Sequence, residues 1–165
     1  MAAFSKQKQL LGLIAWLFLS FAASFIGALA SFQAKSFYGL LSQPEWAPPA
    51  WLFGPVWTVL YAMMAVSAWL VWRAGGFKAN RNALLLFFLQ LALNALWSWL
   101  FFAWQLGALA FADIILLWLL IVATLVSFWR VNRFAGALLV PYLFWVSFAG
   151  ALNYALWQLN PQVLG

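Results

Sequence analysis

The sequence of 165 residues contains no cysteine and no histidine, and only eight basic and two acidic side chains. Without cysteine there are no disulfides and no thiolate nucleophiles. Without histidine there is no imidazole base and no His-ligated haem iron, and the usual zinc sites lack both of their donors. Charged residues make up 6% of the chain, against about a quarter in soluble domains, too few to keep a globule of this length in solution. Soluble enzymes and free nucleic-acid binders are thereby excluded. The net charge of +6 does not reopen the second class, because the cations are scattered between apolar runs and form no basic face. What the chain does have is 68% hydrophobic and 21% aromatic residues, with 13 tryptophans. That is an integral membrane protein with more tryptophan than the interfacial belts of a small bundle require.

The uncharged stretches 9–34, 46–72 and 134–165 each hold one helix of about 20 residues, the length that crosses a bilayer. The stretch 82–129 carries one charge, Asp113, and holds two such helices around a turn at Gln105-Leu106-Gly107. The expectation is an all-α bundle of five transmembrane helices, at about 10–30, 49–72, 83–104, 108–129 and 135–158, forming a single domain. Runs such as Ala83 to Leu89 and Ile114 to Val122 are apolar on every face, which excludes the alternation of a membrane β-barrel. The first apolar run is too long for a cleavable signal and no convincing small-x-small cleavage site ends it, so it is expected to be retained.

Lys6, Lys8, Arg73, Lys78, Arg81, Arg130 and Arg133 fall on one side of these spans and Lys35 alone on the other. The positive-inside rule therefore predicts a cytoplasmic N-terminus and an outer C-terminus. A helical bundle with this bias fits an inner, cytoplasmic membrane.

All loops are short except residues 31–48, which contain Lys35, Tyr38, Glu45 and Trp46 and run into Pro48-Pro49 and Trp51. Two readings stand: a lid over a ligand, or an interfacial loop feeding a proline-started helix. Pro55 predicts a kink near Gly54-Pro55. Polar side chains inside the spans point to the bundle interior. Gln90, Asn94 and Trp97 share one stripe of the third span, Trp57 and Tyr61 one of the second, and Trp145, Ala149 and Asn153 one of the fifth. Each combines flat aromatic surface with an amide or hydroxyl, which suits a planar, mostly apolar ligand; the alternative is hydrogen-bonded glue between helices. Ser20, Ala23, Ser24, Gly27 and Ala28 give the first span a small-residue face for a ligand, the bundle or a second subunit. Asp113 is expected in the first turns of the fourth span, either solvated beside a positive helix end or serving proton coupling or the pocket mouth. Trp16, Trp72, Trp104, Trp129 and Trp157 lie towards span ends, where belt anchoring accounts for them.

Trp46-Ala47-Pro48-Pro49, Phe53-Gly54-Pro55-Val56-Trp57-Thr58-Val59-Leu60-Tyr61, Leu93-Asn94-Ala95-Leu96-Trp97-Ser98 and Pro141-Tyr142-Leu143-Phe144-Trp145, with Phe148-Ala149 and Leu152-Asn153-Tyr154, resemble the tryptophan-rich sensory protein family. That family is also called translocator protein or peripheral-type benzodiazepine receptor, and the resemblance covers essentially the whole chain, in the form of its bacterial members. It implies a five-helix bundle, usually a homodimer, acting as a membrane receptor or scavenger for porphyrins such as protoporphyrin IX and for isoquinoline carboxamide and benzodiazepine drugs.

By motif, Trp57 and Trp145 match the pocket tryptophans, Asn94 the amide of the third helix, Ala149 and Asn153 the wall of the fifth, and Tyr38 the lid tyrosine. Gln90, Tyr61, Trp97, Gly27, Trp46 and Trp51 complete the expected ligand contacts. No resident cofactor or metal is expected; the resemblance implies porphyrin as a ligand or a substrate. Two alternatives accompany it: light-dependent porphyrin breakdown with Trp57 and Trp145 as electron donors, and transport of tetrapyrroles or small metabolites. Tyr154 is followed by Ala155-Leu156-Trp157-Gln158 with no cation, a departure from the animal sterol motif that argues against sterol binding.

Overall fold

The computed structural model describes residues 4–165, and among these every regular element is helical. Five helices are long and apolar enough to cross a membrane: Lys6–Ala30, Ala50–Arg73, Arg81–Ala103, Gly107–Val131 and Arg133–Leu159. The protein is a multi-pass integral membrane protein.

Helix α1 (Lys6–Ala30) begins a turn earlier than the apolar run, because Ser5 caps it by accepting from the Lys8 amide at 3.3 Å. The long connection is not irregular throughout: it holds a two-turn helix, α2 (Ala34–Leu40). Pro48-Pro49 leads into a 3-10 turn, Ala50–Leu52, in which the Leu52 amide donates to the Pro49 carbonyl at 3.0 Å. Helix α3 (Phe53–Arg73) starts only after it. Pro55 thus lies in the first α-helical turn, where amides have no intrahelical partner to lose, and the expected kink is replaced by a change of helix type at Leu52.

A short α4 (Gly76–Ala79) links α3 to α5 (Arg81–Ser98). The third span ends in a π-helical stretch, Trp99–Ala103, with the Trp104 amide donating to the Trp99 carbonyl at 2.8 Å. Gln105 closes the turn in the left-handed region, φ 55°. Helix α6 (Gly107–Val131) follows.

The last span is two helices rather than one. Asn132 caps α7 (Arg133–Leu138) by accepting from the amides of Phe134 at 2.9 Å and Ala135 at 3.2 Å. The helix breaks at Leu139, ahead of Pro141, whose ring nitrogen cannot continue the ladder, and resumes as α8 (Val140–Leu159). Helix α9 (Pro161–Leu164) ends the chain.

Lipid removes the hydrophobic drive between helices, so close packing and buried polar bonds hold the bundle. Helix α1 packs on α3 and α5, α5 on α6, and α6 on α8. Ala65, Ser67 and Ala68 are fully buried, and the Ser67 hydroxyl donates to the Ala135 carbonyl at 2.7 Å, tying α3 to α7. Gly136 is required for contact: a Cβ there would stand 2.8 Å from the Cβ of Trp129. Met64, Leu84, Phe87, Ile121, Phe128 and Tyr142 fill the centre with no exposure. Trp16 belongs to this core and not to an interfacial belt: it is 7% exposed, stacks on Phe88 at 5.6 Å and meets Phe87 edge-on at 5.8 Å.

Candidate ligand-binding cavity

Towards the end of the bundle that carries α2, the helices enclose a cavity of about 430 Å³. Its aromatic wall comes from α3 and α8. Trp57 and Trp145 meet at right angles with ring centroids 6.5 Å apart, Phe53 lies edge-on to Trp145 at 6.0 Å, and Tyr61 sits 5.8 Å from Trp57. Trp97 of α5 forms the facing side, stacked on Phe101 at 5.3 Å and held by its Nε1, which donates to Asn153 Oδ1 at 2.9 Å. Gly27 lets α1 close the remaining side, since a Cβ there would come within 3.2 Å of Ser98 Oγ.

The deep end of the cavity is polar. The Tyr61 hydroxyl donates to Asn94 Oδ1 at 2.5 Å, Asn94 Nδ2 donates to the Tyr142 hydroxyl at 2.8 Å, and that hydroxyl donates to Gln90 Oε1 at 2.8 Å. This chain joins α3, α5 and α8 through groups buried in a low dielectric, where such bonds are strong and unpaired groups costly. Gln90 Nε2 has only the Met64 sulfur, 3.9 Å away. By contrast, the indole Nε1 of Trp145, on the cavity wall, is buried without any partner.

Helix α2 and the strand of chain after it cover this end. Tyr38, 5% exposed, donates its hydroxyl to the Pro48 carbonyl at 3.0 Å and packs edge-on to Phe53 at 5.4 Å. Burial pushes its phenol above the ordinary tyrosine value, which keeps it a donor at neutral pH. Asn160 completes the closure. Its Oδ1 accepts from the Ser42 amide at 2.8 Å, while its Nδ2 donates to the Ser42 carbonyl at 2.9 Å and the Leu156 carbonyl at 2.8 Å. One amide side chain thus pairs with the connection after α2 as a backbone strand would.

Of the residues singled out in the sequence, Trp57, Trp145, Asn94, Tyr61, Trp97, Ala149, Gly27 and Tyr38 line the cavity. Gln90 and Asn153 do not: each is 1% exposed and stands behind the wall, Gln90 under Tyr142 and Asn153 between Trp97 and the Gly107 carbonyl, to which it donates at 3.1 Å. Trp46 and Trp51 also lie off it, 51% and 67% exposed, with Trp46 against Phe148. Asp113 is neither solvated nor at the mouth. It is buried in the second turn of α6, its Oδ2 without a partner, and is absent from the cavity wall.

Three participants were not among the expected ligand contacts. Phe53 stood in a quoted motif without a role of its own, and Asn160 lay beyond the expected last span. Tyr142 did carry a signal, since a tyrosine inside an apolar span needs a partner for its hydroxyl.

The cavity offers flat apolar and aromatic surface, a polar deep end and, at the end that carries α2, the Lys35 ammonium. Mostly apolar walls with a few placed polar groups are the usual make-up of a small-molecule pocket.

The TspO/MBR family model matches residues 11–158. The Tryptophan-rich protein TspO of Chlorobaculum tepidum is 44% identical, covering 93% of this chain and 99% of its own length. Protein CrtK of Rhodobacter capsulatus is 41% identical over 80% of this chain and 83% of its own. The Translocator protein of Homo sapiens is 40% identical over 78% and 77%. With the family model spanning all five membrane helices and these relatives aligned over most of their lengths, the chain belongs to the TspO/MBR family.

Proposed function

We propose that this protein is a membrane receptor and scavenger for porphyrins, with protoporphyrin IX as the type ligand, and that it also takes planar drugs of the isoquinoline carboxamide and benzodiazepine classes. The observation that carries the reading is the cavity of about 430 Å³ with Trp57, Trp145, Phe53 and Trp97 on its walls. Edge-to-face indoles present π surface to an inserted flat ring, and aromatic contacts of this kind each contribute about 0.5–1.5 kcal/mol beyond burial. The names of the relatives, a tryptophan-rich protein and a translocator protein, support a sensory or translocator role at a membrane. We place the N-terminus in the cytoplasm of a bacterial inner membrane and expect a homodimer.

A second reading is favoured by one feature, the direct contact of Trp57 with Trp145. Two adjacent indoles against a macrocycle can donate an electron to its photoexcited state, which would make the bound porphyrin a substrate under light.

Titration of the detergent-purified protein with protoporphyrin IX, dark and then illuminated, tests both. Saturable quenching of tryptophan fluorescence is expected, with affinity falling at least tenfold, about 1.4 kcal/mol, in the Trp57→Ala/Trp145→Ala variant. Unchanged affinity in that variant would place the ligand elsewhere. Loss of porphyrin absorbance under light at equal rates in both proteins would remove the photochemical reading.

A further inference from the structure

We propose that the cavity selects ligands bearing a carboxylate and that Lys35 recognises it, an inference that rests on the cavity being the porphyrin site. Lys35 lies on α2 and is, among the described residues, the only charged side chain on the cavity wall. The chain has just two acids; neither Glu45 nor Asp113 lines the cavity, so nothing on the wall neutralises the ammonium.

Three neighbouring hydroxyls are already engaged with the backbone, and Ser24 and Ser98 on the same wall are neutral donors only. Ser31 donates to the Gly27 carbonyl at 3.1 Å, Thr58 to the Gly54 carbonyl at 2.9 Å and Tyr38 to the Pro48 carbonyl at 3.0 Å. Each has one proton, already committed to the backbone, and offers a ligand only lone pairs. An anion at this end therefore finds a single charged donor.

The deeper wall enforces the orientation. A carboxylate carried in among Trp57, Trp145 and Phe53 would lose its hydration without a compensating charge, at a cost far above that of leaving it at the mouth. The ligand enters ring first and its acid stays beside α2. A fully apolar planar molecule gains the aromatic wall but not the ion pair.

The test uses protoporphyrin IX, which carries carboxylates, and its dimethyl ester, which has the same ring and no charge. Both are titrated in a non-ionic detergent, so that no lipid phosphate competes for Lys35, into the wild type, Lys35→Met, Lys35→Glu and Trp57→Ala/Trp145→Ala. Wild type is expected to prefer the acid by roughly fivefold, the size of a solvent-accessible ion pair, and to lose that preference in about 1 M salt, where screening is complete within a few ångströms. Lys35→Met should bind acid and ester alike, Lys35→Glu should prefer the ester, and the tryptophan variant should weaken on both ligands. Acid preference retained in Lys35→Met and Lys35→Glu, with both ligands still weakened by the tryptophan variant, overturns acid recognition and leaves the cavity intact. Both ligands unaffected by the tryptophan variant overturns the cavity assignment and the selection together.

Discussion

Tyr142 has no exposure and sits at the junction of the buried chain that runs from the cavity into the core. Its hydroxyl accepts from Asn94 and donates to Gln90, so Tyr142→Phe strands two amide groups at once while preserving the ring. Leaving a buried polar group unsatisfied costs about 1–3 kcal/mol, and hydrogen bonds between membrane helices are worth about 0.6 kcal/mol on average. A loss of about 1–2 kcal/mol is expected, visible as a lower thermal midpoint in detergent. Tyr61→Phe removes a single donor, leaves Asn94 Nδ2 paired with Tyr142, and should cost less. Equal losses in the two variants would mean that the chain does not act through Tyr142. Asn94 was visible in the sequence as a polar residue on an aromatic stripe; which of its neighbours it bonds was not, because that choice depends on how α3 and α8 are rotated about their axes.

At the level of elements, the five spans could be read from the apolar runs, because a bilayer demands that length and hydropathy whatever the tertiary contacts. Their internal breaks could not. The 3-10 turn at Ala50–Leu52, the π-helical stretch at Trp99–Ala103 and the break at Leu139 are local adjustments. Of these only the last has a clear sequence cue, Pro141. Helix α2 was hidden for a different reason: at seven residues it is too short to hold itself together, and it owes its form to docking on Phe53 and to the connection after it. That dependence makes Asn160 decisive. Asn160→Ala leaves the Ser42 amide and carbonyl without their partners, and faster amide hydrogen exchange is expected over residues 34–48 with the spans unchanged. Unchanged exchange over residues 34–48 would show that Tyr38 and Phe53 hold the cover without Asn160.

For the whole molecule, the cavity is bounded by α1, α2, α3, α5 and α8, so a ligand within it contacts elements that must all separate on unfolding. Protoporphyrin IX at about one hundred times its dissociation constant should therefore stabilise the folded state by about 2.7 kcal/mol. At the same concentration the rise in thermal midpoint should fall to about half or less in Trp57→Ala/Trp145→Ala, since tenfold weaker binding leaves about 1.4 kcal/mol. A shift of equal size in that variant would point to the porphyrin acting on the detergent-embedded surface, where a second concavity of about 410 Å³ lies between α6 and α8 beside Trp118 and Tyr154.

The packed centre beneath the cavity sets a direction for traffic. Below Tyr61 and Asn94 come Met64, Leu84, Phe87, Ile121 and Phe128, none with any exposure. In this arrangement the cavity does not continue through the packed centre towards the other end of the bundle. Carriage to the opposite face would need that packed layer to part.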